Sequence, residues 1–544
     1  MILLLFSSVL ILSVLAGWGK IMEKYTGNSL SCGISGNILT GIIGLSLMWT
    51  VLAFFIPLNL YVEIPVVLTG ILFFFKERLY HEFSRFSKKE ALLISGTSLI
   101  IIFSSSFYPF ILDHFGYYVP SIKWITEYGL VKGISNLDLT LGQMSVWHIF
   151  QAGFSNFSDP FLRINAVLLI IYTLYIFERK SWIQLCFIPL LLLFSQSPSP
   201  DLPVIAFSLI ILNEIISGNK NISLLFAYSV FVFSIKPTMI WLPLLVFLCA
   251  VFIFKTSFKN MISGGIILLL FIIKNIWTFG YPIFPVAVAD FGFSWKPNSE
   301  VLKISSEYAV QKTYDMQYSY QEIQKFSTYD AVKNWFSLEG IKSKINILFI
   351  LSLAAFAVFT CIKKKKIITL IFISIAVKSI LVLGFSAQYR FFIDVFFVLI
   401  FILLIHFSQK KSLAVFSVLS LAVIGILSFP GFIQKYIPSF RPGSFMTGLK
   451  KEQLYQPSTY HYNKFDTFQT GNLKFNISKD YPFNFDTPLP AISSGYVLDD
   501  IQSGIFPQYV DEKNIRKGFI WRKLTPREKR ETEHIINTIK NTDK

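Results

Sequence analysis

Apolar runs of about 18 to 22 residues recur from the first residue to about residue 429, and no other feature constrains the fold as tightly. Each can cross a hydrocarbon core about 30 Å thick, and a backbone in lipid must satisfy its own hydrogen bonds, so the runs predict helices. They fall at about 1–18, 37–56, 58–75, 91–111, 160–177, 182–196, 203–216, 221–235, 237–254, 261–278, 345–362, 367–383, 391–407 and 413–429. A soluble core could not hide this surface: 53% of the 544 residues are hydrophobic and only 15% charged. The expected fold is an all-α polytopic membrane protein with about 14 transmembrane helices in residues 1–429. The first run lacks a basic leader and is followed by further spans, so it is expected to stay as a transmembrane helix.

A formal net charge of +17 raises the question of nucleic acid. That partner needs a basic face, whereas these cations sit in short clusters between the runs: Lys76 to Lys89, Arg179-Lys180, Lys255 to Lys259, Lys363 to Lys366, and Lys410-Lys411. Placing every cluster in the cytoplasm produces no conflict, which predicts a multi-pass protein of a bacterial inner membrane with no nucleic-acid partner. Both chain ends then lie outside. The outer side also receives loops at about 108–159 and 279–344, the Ser197-Pro-Ser-Pro-Asp201 turn and the Gly384 to Arg390 turn. The tail, 430–544, turns to Tyr, Asn, Lys and Asp and is expected to form a small C-terminal extracytoplasmic module. Cys32, Cys186, Cys249 and Cys361 lack the paired spacing of a zinc site and read as packing residues.

Charges gather at the outer ends of spans: Asp113, Asp201, Lys236, Lys274, Arg390 and Asp394. Asp113 stands where a span leaves the bilayer, ahead of an amphipathic helix that starts at Pro120 and carries Lys123, Trp124 and Glu127. A carboxylate at a water–lipid boundary can take a proton from an acceptor hydroxyl, and a partly dry setting raises its basicity. The same carboxylate could equally be a helix-end group satisfied by Tyr117, Tyr118 or a lysine. Asp201 reads as a second site acid or as a helix N-terminal cap. Arg390, Lys274 and Lys236 read as ligands for a phosphate or as side chains reaching headgroups. His114 beside Asp113 leaves a divalent cation open, though two ligands are too few for a metal site. No cofactor motif is present: there is no Gly-rich phosphate loop, His-Glu-x-x-His, nucleophile elbow or Cys-x-x-Cys.

An acid ending an early span, followed by aromatic residues and an interfacial helix in a large outer loop, resembles the first periplasmic loop of the GT-C superfamily, multi-span glycosyltransferases that use polyprenyl-phosphate sugars. The resemblance implies a GT-C-like fold and an inverting transfer at the outer face of the inner membrane. The sugar would move from a lipid-linked donor to an envelope glycan, lipid or protein. It nominates Asp113 as base, Glu127 or Asp201 as orienting acid, with Asp138 more loosely placed, and Arg390 with Lys274 or Lys236 as the donor phosphate clamp. An O-antigen-type polymerase or ligase is the first alternative; a lipid-linked glycan flippase or other transporter is the second. A wider pattern also resembles a family of bacterial multi-span proteins with no activity attached. It consists of Glu127-Tyr-Gly129, Asn136, Gly142-Gln-Met-Ser145, Lys274-Asn275 before Gly280-Tyr-Pro-Ile-Phe-Pro285, and Gln388-Tyr-Arg-Phe391.

Overall fold

A computed structural model describes residues 1–27, 29–31, 33–436 and 446–542. The chain is mostly helical with little sheet, and every predicted apolar run is helical. Among the described residues, seven helical segments are long and apolar enough to cross a membrane: Ile2–Thr26, Ile34–Ala53, Pro237–Phe254, Phe258–Phe279, Ile341–Lys363, Lys366–Phe385 and Gln409–Ser428. Three shorter apolar segments, Trp182–Phe194, Ile222–Ile235 and Ile393–Leu403, are also present. Large apolar side chains on the long helices face outward, among them Phe6, Leu351, Ile380 and Leu421. Water would penalise that exposure, whereas lipid is its natural solvent, so the chain is a multi-pass helical membrane protein.

Two compact units divide the chain. The first comprises Met1–Ala206, Leu269–Asn298 and Phe407–Lys544; the second comprises Phe207–Leu268 and Ser299–His406.

In the first unit, small residues let the N-terminal helices touch backbone to backbone. A Cβ on Gly17 would collide with the Gly70 carbonyl of helix Leu60–Lys76, and one on Gly41 with the Leu15 carbonyl. Such close approach is how membrane helices gain dispersion contacts where burial from water provides no drive. Buried acids then fix the loops. Glu178 accepts from the backbone N–H groups of Ile34 (2.8 Å) and Ser35 (3.1 Å), capping helix Ile34–Ala53 from a distant helix. Glu63, 1% exposed, accepts from three successive N–H groups, those of Asn156, Phe157 and Ser158, at 2.9, 3.0 and 2.6 Å. Removing this carboxylate strands three buried donors, so Glu63→Ala is expected to cost about 2–3 kcal/mol. Thermal unfolding in mild detergent checks it, and an unchanged Tm contradicts it.

The described tail belongs to this first unit. It holds two antiparallel hairpins, β1 (Phe465–Thr470) with β2 (Leu473–Ser478) and β3 (Ile505–Tyr509) with β4 (Phe519–Lys523). Gly471 takes φ +62° in the β1–β2 turn, a conformation glycine adopts without strain. Leu473, Phe475 and Ile477 alternate inward along β2, the period-2 signature of a half-buried strand. Helices Ser494–Gln502 and Pro526–Thr542 complete the module. Arg522 grips Glu528 with both guanidinium nitrogens, at 2.8 Å for one pair, and this holds the carboxyl down to about 2. A depressed carboxyl contributes stability above its unfolded value and loses it as pH falls through the folded one. The module is therefore expected to loosen between about pH 4.5 and 2, a dependence that Glu528→Gln should abolish. Hydrogen exchange of residues 519–542 measures it.

In the second unit, Lys378 pairs with Asp394 inside the helical core, at side-chain exposures of 1% and 5%. Trp241 Nε1 donates to the other carboxylate oxygen at 2.9 Å. Cys186 and Cys249 are buried, Cys361 is exposed, and Cys32 lies outside the described residues.

Candidate functional site

Helix Lys88–Ser105 ends in a pinned exit. Arg163, 2% exposed, donates to the carbonyls of Ser105 (2.9 Å), Phe161 (2.5 Å) and Ser458 (2.8 Å), and more weakly to Phe107 (3.5 Å). Ser106 O accepts from the Ser458 N–H at 2.8 Å. The chain emerging from this clamp reaches Asp113 and then makes a single π-helical turn, His114–Tyr118, before helix Val119–Glu127. Widened turns of this kind are frequent at functional sites because they re-aim neighbouring side chains.

The π-turn meets the Ser197–Asp201 turn. His114 Nδ1 lies 3.0 Å from Ser197 Oγ. The Tyr118 phenol bonds the Ser199 side chain; burial pushes its ionisation well up, and Tyr117, Asp113 and Asp201 add to that rise. Asp201 opens helix Asp201–Ile216 and donates its N–H to Ser199 Oγ at 3.3 Å, so its carboxylate sits in the first turn, where the helix dipole favours negative charge. His114 and Tyr118 thus tie the segment after Asp113 to the turn that ends at Asp201.

Beside them lies His148, fully buried, with its ring 4.8 Å from that of Tyr118 and 5.9 Å from that of Tyr117. Burial, and secondarily the charge of Lys274, press its ionisation down to about 3, so the ring is neutral at ordinary pH. Burial holds His114 neutral in the same way.

Lys274 is 1% exposed and donates to the carbonyls of Gln143 (2.7 Å) and Met144 (3.1 Å). Thr278 Oγ1 adds a bond to Gly142 O at 2.9 Å, and Asn275 holds Pro282 O at 2.8 Å. The Lys274-Asn275, Gly142–Ser145 and Gly280–Pro285 motifs therefore form one connected patch, in which Lys274 braces a loop.

Glu127 lies exposed at the end of its helix, beside Lys123 and Tyr128. Partial loss of solvent around its carboxyl raises its ionisation, and Lys123 opposes that rise. Lys236 and Arg390 belong to the second unit and come together there: both cations stand over the Phe391 ring, at 5.5 and 5.2 Å, and Lys236 Nζ is 3.4 Å from Arg390 O. Trp335 Nε1 anchors the same turn through Ala387 O at 2.9 Å.

Among the described residues, no group of three or more His, Cys, Asp or Glu side chains is arranged to hold a metal ion. The cation reading at Asp113 and His114 gains no third ligand.

Sequence reasoning missed His148, and it missed Ser493, which reaches Asp138 only through folding. Lys378 did carry a signal: a lysine midway along an apolar run is costly unless paired.

A family model described as a domain of unknown function, DUF8201, matches residues 1–397. No curated protein and no solved structure matches the chain.

Proposed function

We propose a function on one premise: the chain belongs to the DUF8201 family, whose match takes in both predicted outer loops and all six nominated site residues. The protein works as a membrane glycosyltransferase of GT-C-like fold with about 14 spans. It moves a sugar from a polyprenyl-phosphate donor to a cell-envelope acceptor at the outer face of the inner membrane. The observation that carries this reading is the convergence of the π-turn after Asp113 on the Ser197–Asp201 turn, through His114 on Ser197 and Tyr118 on Ser199.

In this reading Asp113 accepts the proton of the acceptor hydroxyl as that oxygen bonds to the sugar's anomeric carbon. The bond from that carbon to the phosphate oxygen breaks, and polyprenyl phosphate leaves. Asp201, tied to Ser199 at the start of its helix, keeps the second charge fixed, and Ser199 also bonds Tyr118. Asp201 suits the role of orienting acid better than exposed Glu127. Within the second unit, Lys236 and Arg390 share one aromatic face, an arrangement suited to a phosphate, for which arginine is the better bidentate ligand. Lys274, committed to two carbonyls, supports the loop beneath His148.

Native mass spectrometry of the purified protein with added decaprenyl phosphate tests the donor assignment. Wild-type protein is expected to retain the lipid, and Arg390→Ala to weaken retention by about tenfold or more. Equal retention by both proteins rules out Arg390 as the clamp.

A further inference from the structure

Two helices long enough to cross a membrane end side by side within the first unit. Helix Ile34–Ala53 stops at Ala53, whose carbonyl accepts the Leu130 N–H at 2.7 Å. Segment Phe258–Phe279 stops at Phe279, and its Trp277 indole donates to Leu130 O at 3.0 Å. The Phe54 and Trp277 rings meet edge to face, 5.6 Å apart. One residue, Leu130, thus brackets both C-terminal ends, so the two helices leave the hydrocarbon at one level.

Past that level a chain entering water would turn polar, and this one does not. Phe55, Tyr61, Val288 and Phe291 are each more than half exposed. The second of these segments is a held loop: a Cβ on Gly280 would collide with Lys296 Cα, and Asn275 grips Pro282 O at 2.8 Å. Lys296 also pairs with Asp290, the one charged residue between 281 and 295, so the loop tip carries little net charge. Its exposed apolar side continues that of the helix before it, where Leu269 and Ile273 stand outward one turn apart. Behind the tip lies a band of rings and a cation. Phe293 stacks on Trp295 at 4.4 Å, and Lys132 Nζ stands over both Trp277 (4.8 Å) and Trp295 (4.6 Å). Indoles and amines, each with an apolar body and a polar tip, are the side chains that a lipid–water boundary favours.

We propose that the 54–61 and 281–293 segments form a collar seated in the bilayer, with Phe55, Val288 and Phe291 among the upper acyl chains and Lys132 at headgroup level. The partner is the lipid surface itself, because the collar prolongs a side of the protein that already faces lipid. Leu130 and Lys132 belong to the 108–159 loop, so the collar fixes that loop at the membrane surface. This inference does not depend on the transferase reading.

The test uses full-length protein in nanodiscs of phosphatidylcholine and phosphatidylglycerol, with Cys32 and Cys361 replaced by serine and the buried Cys186 and Cys249 kept. Phe55→Cys and Phe291→Cys carry a nitroxide label. Ile380→Cys, on the apolar side of helix Lys366–Phe385, is the lipid reference, and exposed Lys325→Cys is the water reference. Paramagnetic resonance compares collisions with oxygen, which concentrates in lipid, and with a nickel chelate, which stays in water. Both collar labels are expected to lose nickel collisions and gain oxygen collisions relative to 325, giving a ratio nearer that at 380. A ratio nearer that at 325, at either label, overturns the collar. So does shielding of either label from both relaxants, which marks a second copy or another protein in place of lipid.

Discussion

Asp113→Asn is expected to slow release of polyprenyl phosphate from a lipid-linked sugar by about a hundredfold or more, with the donor KM nearly unchanged. Asparagine keeps the shape of the side chain and its place ahead of the π-turn, but it cannot take a proton. The seams around it, His114 on Ser197 and Phe485 on Phe115, do not use this carboxylate and should survive the change. Arg390→Ala removes a cation from the Phe391 face and is expected mainly to raise the donor KM, by about tenfold. A polymerase or ligase that works through outer-loop arginines reverses this ranking: Arg390→Ala becomes the inactive variant and Asp113→Asn the mild one. Measuring both variants side by side separates the two chemistries.

The largest effect on folding is expected at Arg163. Its guanidinium joins the carbonyls that end helix Lys88–Ser105 to the tail carbonyl of Ser458, and its own N–H donates to Asp159 at 2.6 Å. Arg163→Met would leave those carbonyls without their donor and the buried Asp159 without its countercharge. Breaking a buried charged network from one side typically costs about 3–5 kcal/mol, a large share of the stability of any domain. The variant is expected to yield little folded protein by size-exclusion in detergent, while exposed Lys325→Ala gives normal yield. Normal yield and Tm for Arg163→Met would show that the clamp is dispensable.

The helical multi-pass character was legible in the sequence because lipid imposes a simple rule, about 20 apolar residues in helical form, and among the described residues seven helical segments meet it. Their ends were harder to place. Helix Ile2–Thr26 continues well past residue 18 because Trp18 and Lys20 find local partners, Val66 O for the indole and Glu23 for the amine. The site was legible in pieces. Asp113, Asp201 and the Pro120 helix start showed themselves as acids and breakers at the ends of apolar runs. The meeting of the π-turn with the Ser197–Asp201 turn did not, since it depends on the His114–Ser197 contact between distant segments. Lys274 and Arg390 looked alike as span-end cations, and only packing separates them: one is sealed against two carbonyls, the other lies exposed on an aromatic ring. The stitching of the tail to the 105–142 segment was invisible, because Ser493 and its neighbours lie in a polar stretch with no periodicity to distinguish them.

The most direct measurement is made on wild-type protein in sealed proteoliposomes that carry decaprenyl-phosphate mannose and an envelope lipid extract. Donor cleavage and donor movement between leaflets are followed in the same vesicles. The expected result is release of free decaprenyl phosphate with mannose appearing on the acceptor, and no faster leaflet exchange than in protein-free vesicles. Rapid exchange of intact donor, with no cleavage, would contradict the account and identify a flippase instead.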